Sequence, residues 1–250
     1  VAAPQVVAGS VTATAITTSA GSWTATMPPV INDGDIVYAY LRINLLGATL
    51  STLPSGWNAV ALTAQSGSGA HFMLYKVSDG TDDGSSVVFN SSATANPVLM
   101  TMFVVEDADT ATPVEAHSSV AAPAGTTFNI PAITTLGSDR LVMTFGNINI
   151  TTFNSGGAEI FTWGQGTKLF EQIAGTNRSM SGAWFEKAAA GSTGVMTCTI
   201  PSAAAGGVAI AIPPGAAETV PPAVPTGLGG SVSDYAADTP NAVFRVPTVR

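Results

Sequence analysis

In Asp79-Gly80-Thr81-Asp82-Asp83-Gly84 three carboxylates stand close together among glycines, as in the first half of a loop that wraps a hard, oxygen-seeking cation. The bidentate acid that closes an EF-hand is missing, and the matching turn in the second half of the chain, Ala188 to Gly194, has no acids. Ordinary turn chemistry accounts for the segment; a peripheral calcium held by Asp79, Asp82 and Asp83 is the alternative. A second acidic group, Glu106, Asp107 and Asp109, has the residue type needed for glycoside hydrolysis, but no second acidic cluster stands beside aromatic sugar platforms, so a solvated loop is expected. His71 and His117 have no partner at metal-ligand spacing, and no nucleophile-elbow, Walker or dinucleotide motif occurs. No catalytic residue and no cofactor is therefore assigned. Among four tryptophans, Trp163 lies in TWGQG, a Gly-flanked setting suited to a flat platform for a sugar ring, with Phe161 and Phe153 as neighbouring contact candidates. Trp57 and Trp184 read as packing residues. Asn90, Asn149 and Asn177 are formal glycosylation sequons of a kind that arises by chance in Asn/Ser/Thr-rich chains.

The elements that must carry these residues are organised around Ala70 to Phe89, whose pattern returns at Ser181 to Ile200. Each copy is an apolar run ending in lysine (Lys76, Lys187), a polar turn with glycine (Gly80, Gly191), and a second apolar run. That pattern predicts a β-hairpin. Ahead of the copies lie Gly34 to Ile43 and Ser138 to Ile148, and after them Pro97 to Ala108 and Gly207 to Pro214. A period of roughly 105–110 residues is too long for a solenoid unit, so two similar four-strand halves of one β-sandwich are expected. Val37, Ala39 and Leu41 match Leu141, Met143 and Phe145 in parity, which predicts equivalent buried faces.

Charged residues make up only 10% of the chain, so its polar surface must come from Ser, Thr, Asn and backbone. A net charge of −8 with 8 Lys plus Arg is too poor in cations to neutralise a phosphate backbone, which argues against nucleic acid. No apolar run reaches the roughly 18 residues of a membrane-spanning helix, and Val1 to Ser10 lacks the basic start of a signal peptide. Any signal has been removed, or the protein leaves its cell by another route, such as inside a particle released by lysis. Cys198, the one cysteine, falls in the alternating run Met196, Cys198, Ile200 and reads as a buried thiol.

In chain order, residues 1–212 read as the β-sandwich, with 1–22 an edge strand or arm. Strands are expected at Trp23 to Met27, Ile36 to Leu45, Asn58 to Leu62, Val98 to Val105 and Thr126 to Thr134, with Glu106 to Ala122 a long surface loop. Asn149 to Gly166 reads as a loop carrying exposed aromatics. Residues 213–226 form a Pro-rich linker, and 227–250 an arm or assembly segment ordered only in an assembly. Helices beyond a turn or two are not expected.

The order Gly34 to Ala39 (GDIVYA), Pro54 to Trp57 (PSGW), Tyr75 to Gly80 (YKVSDG), Val104 to Glu115 and the closing Gly207 to Pro214 (GVAIAIPP) resembles a jelly-roll domain of tailed-bacteriophage virion proteins. The resemblance covers roughly Val30 to Pro214. It implies an antiparallel jelly roll in a non-enzymatic protein on the particle surface, tail-associated, with capsid decoration or head fibre as the alternative. It also implies other virion proteins as partners, a homo-oligomer, and contact with a host-surface glycan or protein. A secreted carbohydrate-binding module is the rival from another class. The segment PPAVPTGL resembles the lead-in to a fibronectin type III domain, although the stretch of chain after it is too short for one.

Overall fold

The computed structural model describes residues 2–16, 20–62, 69–94, 96–149, 160–174 and 178–215. The chain divides into units Val1–Ala216 and Ala217–Arg250, and the expected arm at 227–250 lies outside the described residues. Every regular element described is a strand. In the first half these are β1 (Gln5–Val6), β2 (Thr12–Ile16), β3 (Ala20–Thr26), β4 (Asp33–Ile43), β5 (Leu50–Thr52), β6 (Trp57–Val60), β7 (Ala70–Asp79), β8 (Ser86–Thr94) and β9 (Val98–Glu106). The second half contributes β10 (Ala116–Ile130), β11 (Thr134–Thr135), β12 (Arg140–Asn149), β13 (Thr162–Trp163), β14 (Thr167–Ala174), β15 (Arg178–Lys187), β16 (Gly191–Ser192) and β17 (Met196–Ile212). Ala116 to Ala122, expected in a loop, is the start of a long strand; its Ser, Ala and Val residues alternate too weakly to announce one.

All pairings are antiparallel, and the sheets stack as in a β-sandwich. One six-stranded sheet has the order β1-β9-β4-β7-β6 with β2 also on β9; the other has β10-β17-β12-β15-β14 with β13 also on β17. A three-stranded sheet, β3-β8-β5, covers the outer face of the first. On the second sheet the covering layer comes from the same strands: β10 and β17 pair at 116–122 with 205–211, shift register around Gly125, and pair again at 127–130 with 196–199. Such irregularities bend a strand pair and let it turn a corner.

The repeated turns are not hairpins. β7 pairs with β4 and β6, whereas β8 pairs with β3 and β5, so the chain arches from one sheet to another between them. β15 and β17 likewise do not pair with each other. A hairpin and an arch both need glycine at positive φ, here Gly80 at 76° and Gly84 at 58°. Side-chain periodicity reports faces, not the in-plane direction of hydrogen bonds, so the two look alike in sequence.

Side chains form three apolar layers. Val37, Ala39 and Leu41 meet Trp23 and Phe89 of the three-stranded sheet and Met27 just after β3. On the other face, Ile36, Tyr38 and Tyr40 meet Leu141, Met143 and Phe145 of the second six-stranded sheet. The expected equivalence is thus off by one residue: 141, 143 and 145 face the same layer as 36, 38 and 40. Both faces of β4 and β12 are buried, so parity alone could not distinguish them. Tyr40 and Phe145 stack across the layer at 5.0 Å, with Phe103 and Phe145 at 5.8 Å; such pairs add about 0.5–1.5 kcal/mol each beyond area burial. In the third layer the cross-strand pair Gly146 and Gly207 lies beneath the Phe128 ring.

Candidate functional site

The best-formed surface feature among the sequence candidates surrounds Trp163. β13 adds Thr162 and Trp163 to β17 opposite Thr199 and Cys198. The segment is pinned by one carboxylate: Glu171 accepts the backbone N–H of Ile160 at 2.9 Å and of Phe161 at 3.4 Å, and pairs with Lys168 Nζ at 2.9 Å. Trp163 Nε1–H donates to Ser181 Oγ at 3.1 Å, and that hydroxyl donates to Phe170 C=O at 2.8 Å. Phe161 stacks parallel to the indole at 6.5 Å and Phe128 meets it edge-on at 6.0 Å. Beyond Trp163, the Gly164 N–H donates to Thr197 C=O at 2.9 Å. Gly166, at φ 81°, lies so close to the Trp184 carbonyl that a Cβ would not fit.

These contacts frame an open cleft of about 190 Å³ lined by Phe161, Thr162, Trp163, Gly166 and Lys168. Trp163 stays half-buried, as a platform must. Phe161 does not share that role in the way the sequence suggested: it is fully buried in the third layer and backs the indole. An aromatic next to glycine-rich polar residues reads as exposed, but folding of β10 and β17 over the sheet brings a core to it. Phe153 lies outside the described residues. A larger cleft of about 240 Å³ lies between the N-terminal segment and Leu141, Trp184 and Glu186.

The aspartates proposed for calcium point to separate partners. Asp79 accepts from the Thr81 hydroxyl at 2.6 Å, Asp82 takes Lys76 Nζ at 2.6 Å and the Ser78 hydroxyl at 3.3 Å, and Asp83 accepts the Ile31 N–H at 2.6 Å. They tie the arch between β7 and β8 to itself and to the segment before β4. Hydrogen bonds from Thr81 hold the Asp79 carboxyl below its ordinary range. No group of three or more His, Cys, Asp or Glu among the described residues converges as metal ligands would. Glu115 grips Arg140 with both carboxylate oxygens at 3.1–3.2 Å. His117 is exposed, with Nε2 3.0 Å from Ala61 C=O. Burial pushes the Cys198 thiol up to about 12.

A polar cluster that the sequence reading did not single out lies inside the layer between the six-stranded sheets. Arg42, His71 and Asn147 are 0–1% exposed, beside the equally buried Tyr40. Asn147 Nδ2 lies 2.7 Å from Tyr40 Oη, 3.3 Å from His71 Nδ1 and 3.3 Å from Gly206 C=O. Thr101 donates to Gln172 Oε1 at 3.0 Å, and Gln172 donates across to Thr14 C=O at 2.9 Å. Desolvation, with Arg42 adding to it, lowers His71 from 6.5 to about 4, and desolvation lowers Arg42 to about 10. Burial also raises the Tyr40 phenol, which stays protonated. The cluster therefore holds a neutral imidazole beside a guanidinium and stitches the two sheets together. Its signal in sequence is weak: single polar residues inside apolar runs, which come together only when β4 and β7 pair and their sheet stacks on the one that carries β12. Compared with known proteins, the chain matches no family model, no curated protein and no solved structure.

Proposed function

We propose that the chain is a non-enzymatic structural module of a tailed-bacteriophage particle, displayed on its surface, tail-associated, and meeting the host surface through loops. In this reading the fold is of the jelly-roll kind, built from two similar halves, and the module assembles as a homo-oligomer with other virion proteins. The observation that carries it is how the ionisable side chains are used. Asp79, Asp82, Asp83, Glu115 and Glu171 each hold a turn or a loop, and His71 meets Asn147 of the opposite sheet beside the buried Arg42. These ionisable groups thus serve shape, in a chain only 10% of whose residues are charged.

Two further observations support it. The six-stranded sheets, one from each half, run in corresponding order: β9 to β17, β4 to β12, β7 to β15, β6 to β14. The segments that resemble virion proteins also fall at structural corners, with Pro54 to Trp57 turning into β6 and Tyr75 to Gly80 leading β7 into its arch. Immunogold labelling of particles tests the assignment: label on tails is the expected result, and label confined to heads would favour capsid decoration instead. Cleavage of host polysaccharide by the purified chain would end the non-enzymatic reading.

A further inference from the structure

From the geometry of the Trp163 cleft we infer a carbohydrate subsite that takes one terminal pyranose ring. The origin of that sugar, a host-surface glycan, rests on the function proposed above; the binding chemistry does not. A sugar ring presents a flat patch of C–H groups on one side and hydroxyls around its edge. It therefore needs an aromatic face with polar groups at the rim, and this cleft supplies both: the half-buried indole of Trp163 with Thr162 and Lys168 beside it.

Three features separate the indole from an incidental surface tryptophan. Its orientation is set before any ligand arrives, by the Nε1–H bond to Ser181, the parallel Phe161 ring and the edge of Phe128. The strand that carries it is held by Glu171 through two backbone N–H groups, so binding need not order a loop. The same Glu171 carboxylate pairs with Lys168, which keeps an ammonium in place in the lining of the cleft, with donor capacity suited to sugar hydroxyls. At about 190 Å³ the cleft is below the about 300–1,000 Å³ of sites that engulf a drug-sized ligand. It fits the end of a glycan, not an internal stretch of one, and single-site affinity is expected in the millimolar range. Repetition of the module on one particle would raise the avidity of such a site.

The test uses the ¹⁵N-labelled full chain and follows the indole N–H signals of its four tryptophans, with Trp163 assigned through Trp163→Phe. Methyl glycosides of glucose, galactose, mannose, N-acetylglucosamine and N-acetylneuraminic acid are titrated in turn, with cyclohexanol as a ring lacking the hydroxyl pattern. The expected result is a saturable shift at Trp163 with at least one glycoside, and loss of the accompanying backbone amide shifts of Thr162 and Lys168 in Trp163→Ala. Thr162→Val, which keeps a β-branched residue on an exposed position, should weaken that binding several-fold at unchanged melting temperature. An unshifted Trp163 across the panel would overturn the inference, as would cyclohexanol binding as tightly as the best glycoside. Mass spectrometry of purified particles tests the particle assignment separately, so either proposal can fail while the other stands.

Discussion

Acidification should unlock the interface between the two six-stranded sheets through His71. This imidazole faces Arg42 and Tyr40 from β4 and Asn147 from β12, with Arg178 of β15 close enough to act on Arg42. None of these four is an acid that would welcome a proton on the ring. In the unfolded chain His71 titrates near 6.5; in the native protein it holds out to about 4. Between those values the unfolded state binds the extra proton, so stability is complete above about pH 6.5, falls as pH drops towards 4, and gains no further loss from this group below that. At about 1.4 kcal/mol per pH unit the difference amounts to about 3 kcal/mol, a large share of the about 5–15 kcal/mol by which domains are stable. The assay is urea unfolding at a series of pH values across this window, for the native sequence and for His71→Asn. The variant is expected to start less stable but to show a flatter dependence on pH. Parallel curves for the two proteins would refute the reasoning, because the loss would then belong to other groups. Asp79, whose carboxyl is held below 3.8, titrates beneath the window and does not confuse the comparison.

Other expectations rest on the same contacts. Gly207→Ala would place a Cβ 2.8 Å from both Phe128 and Ile130 in the third layer, and thermal melts should show a loss of about 1–3 kcal/mol; an unchanged midpoint would mean that the ring is free to move. Cys198, buried and with its thiol pushed up to about 12, should resist iodoacetamide in the native protein and react after urea unfolding, as read by intact mass. Adding calcium, or removing it with a chelator, should leave the melting temperature unchanged, because Asp82 is tied to Lys76 and Asp83 to the Ile31 N–H. A rise of several degrees with calcium would show that the arch rearranges to coordinate it.

Much of the strand content was legible in the residues themselves. Alternating or continuous apolar runs with turn residues between them located β4, β7, β9, β12 and β15 to within a few positions. Sparse charge argued against a nucleic-acid surface and implied a polar surface built from Ser, Thr, Asn and backbone. The weakly patterned start of β10 escaped notice because Ser and Ala carry little periodic signal, and it is recognisable only through its partner β17.

What a strand pairs with is a different kind of information. Backbone hydrogen bonds lie in the plane of the sheet, and side-chain alternation is blind to them; hence two repeated arches looked like hairpins. When both faces of a strand are buried, parity also stops reporting which face meets which layer, and the match between the halves slipped by one residue. The candidate sites show the same division. Trp163 could be picked out from its glycine-rich setting, but the burial of Phe161 behind it depends on two long strands bending over their own sheet. Arg42, His71 and Asn147 are far apart in the chain and unremarkable there. Only the stacking of two sheets turns them into one buried polar cluster, because desolvation, which gives them their chemistry, is a property of the assembled layers and not of any residue alone.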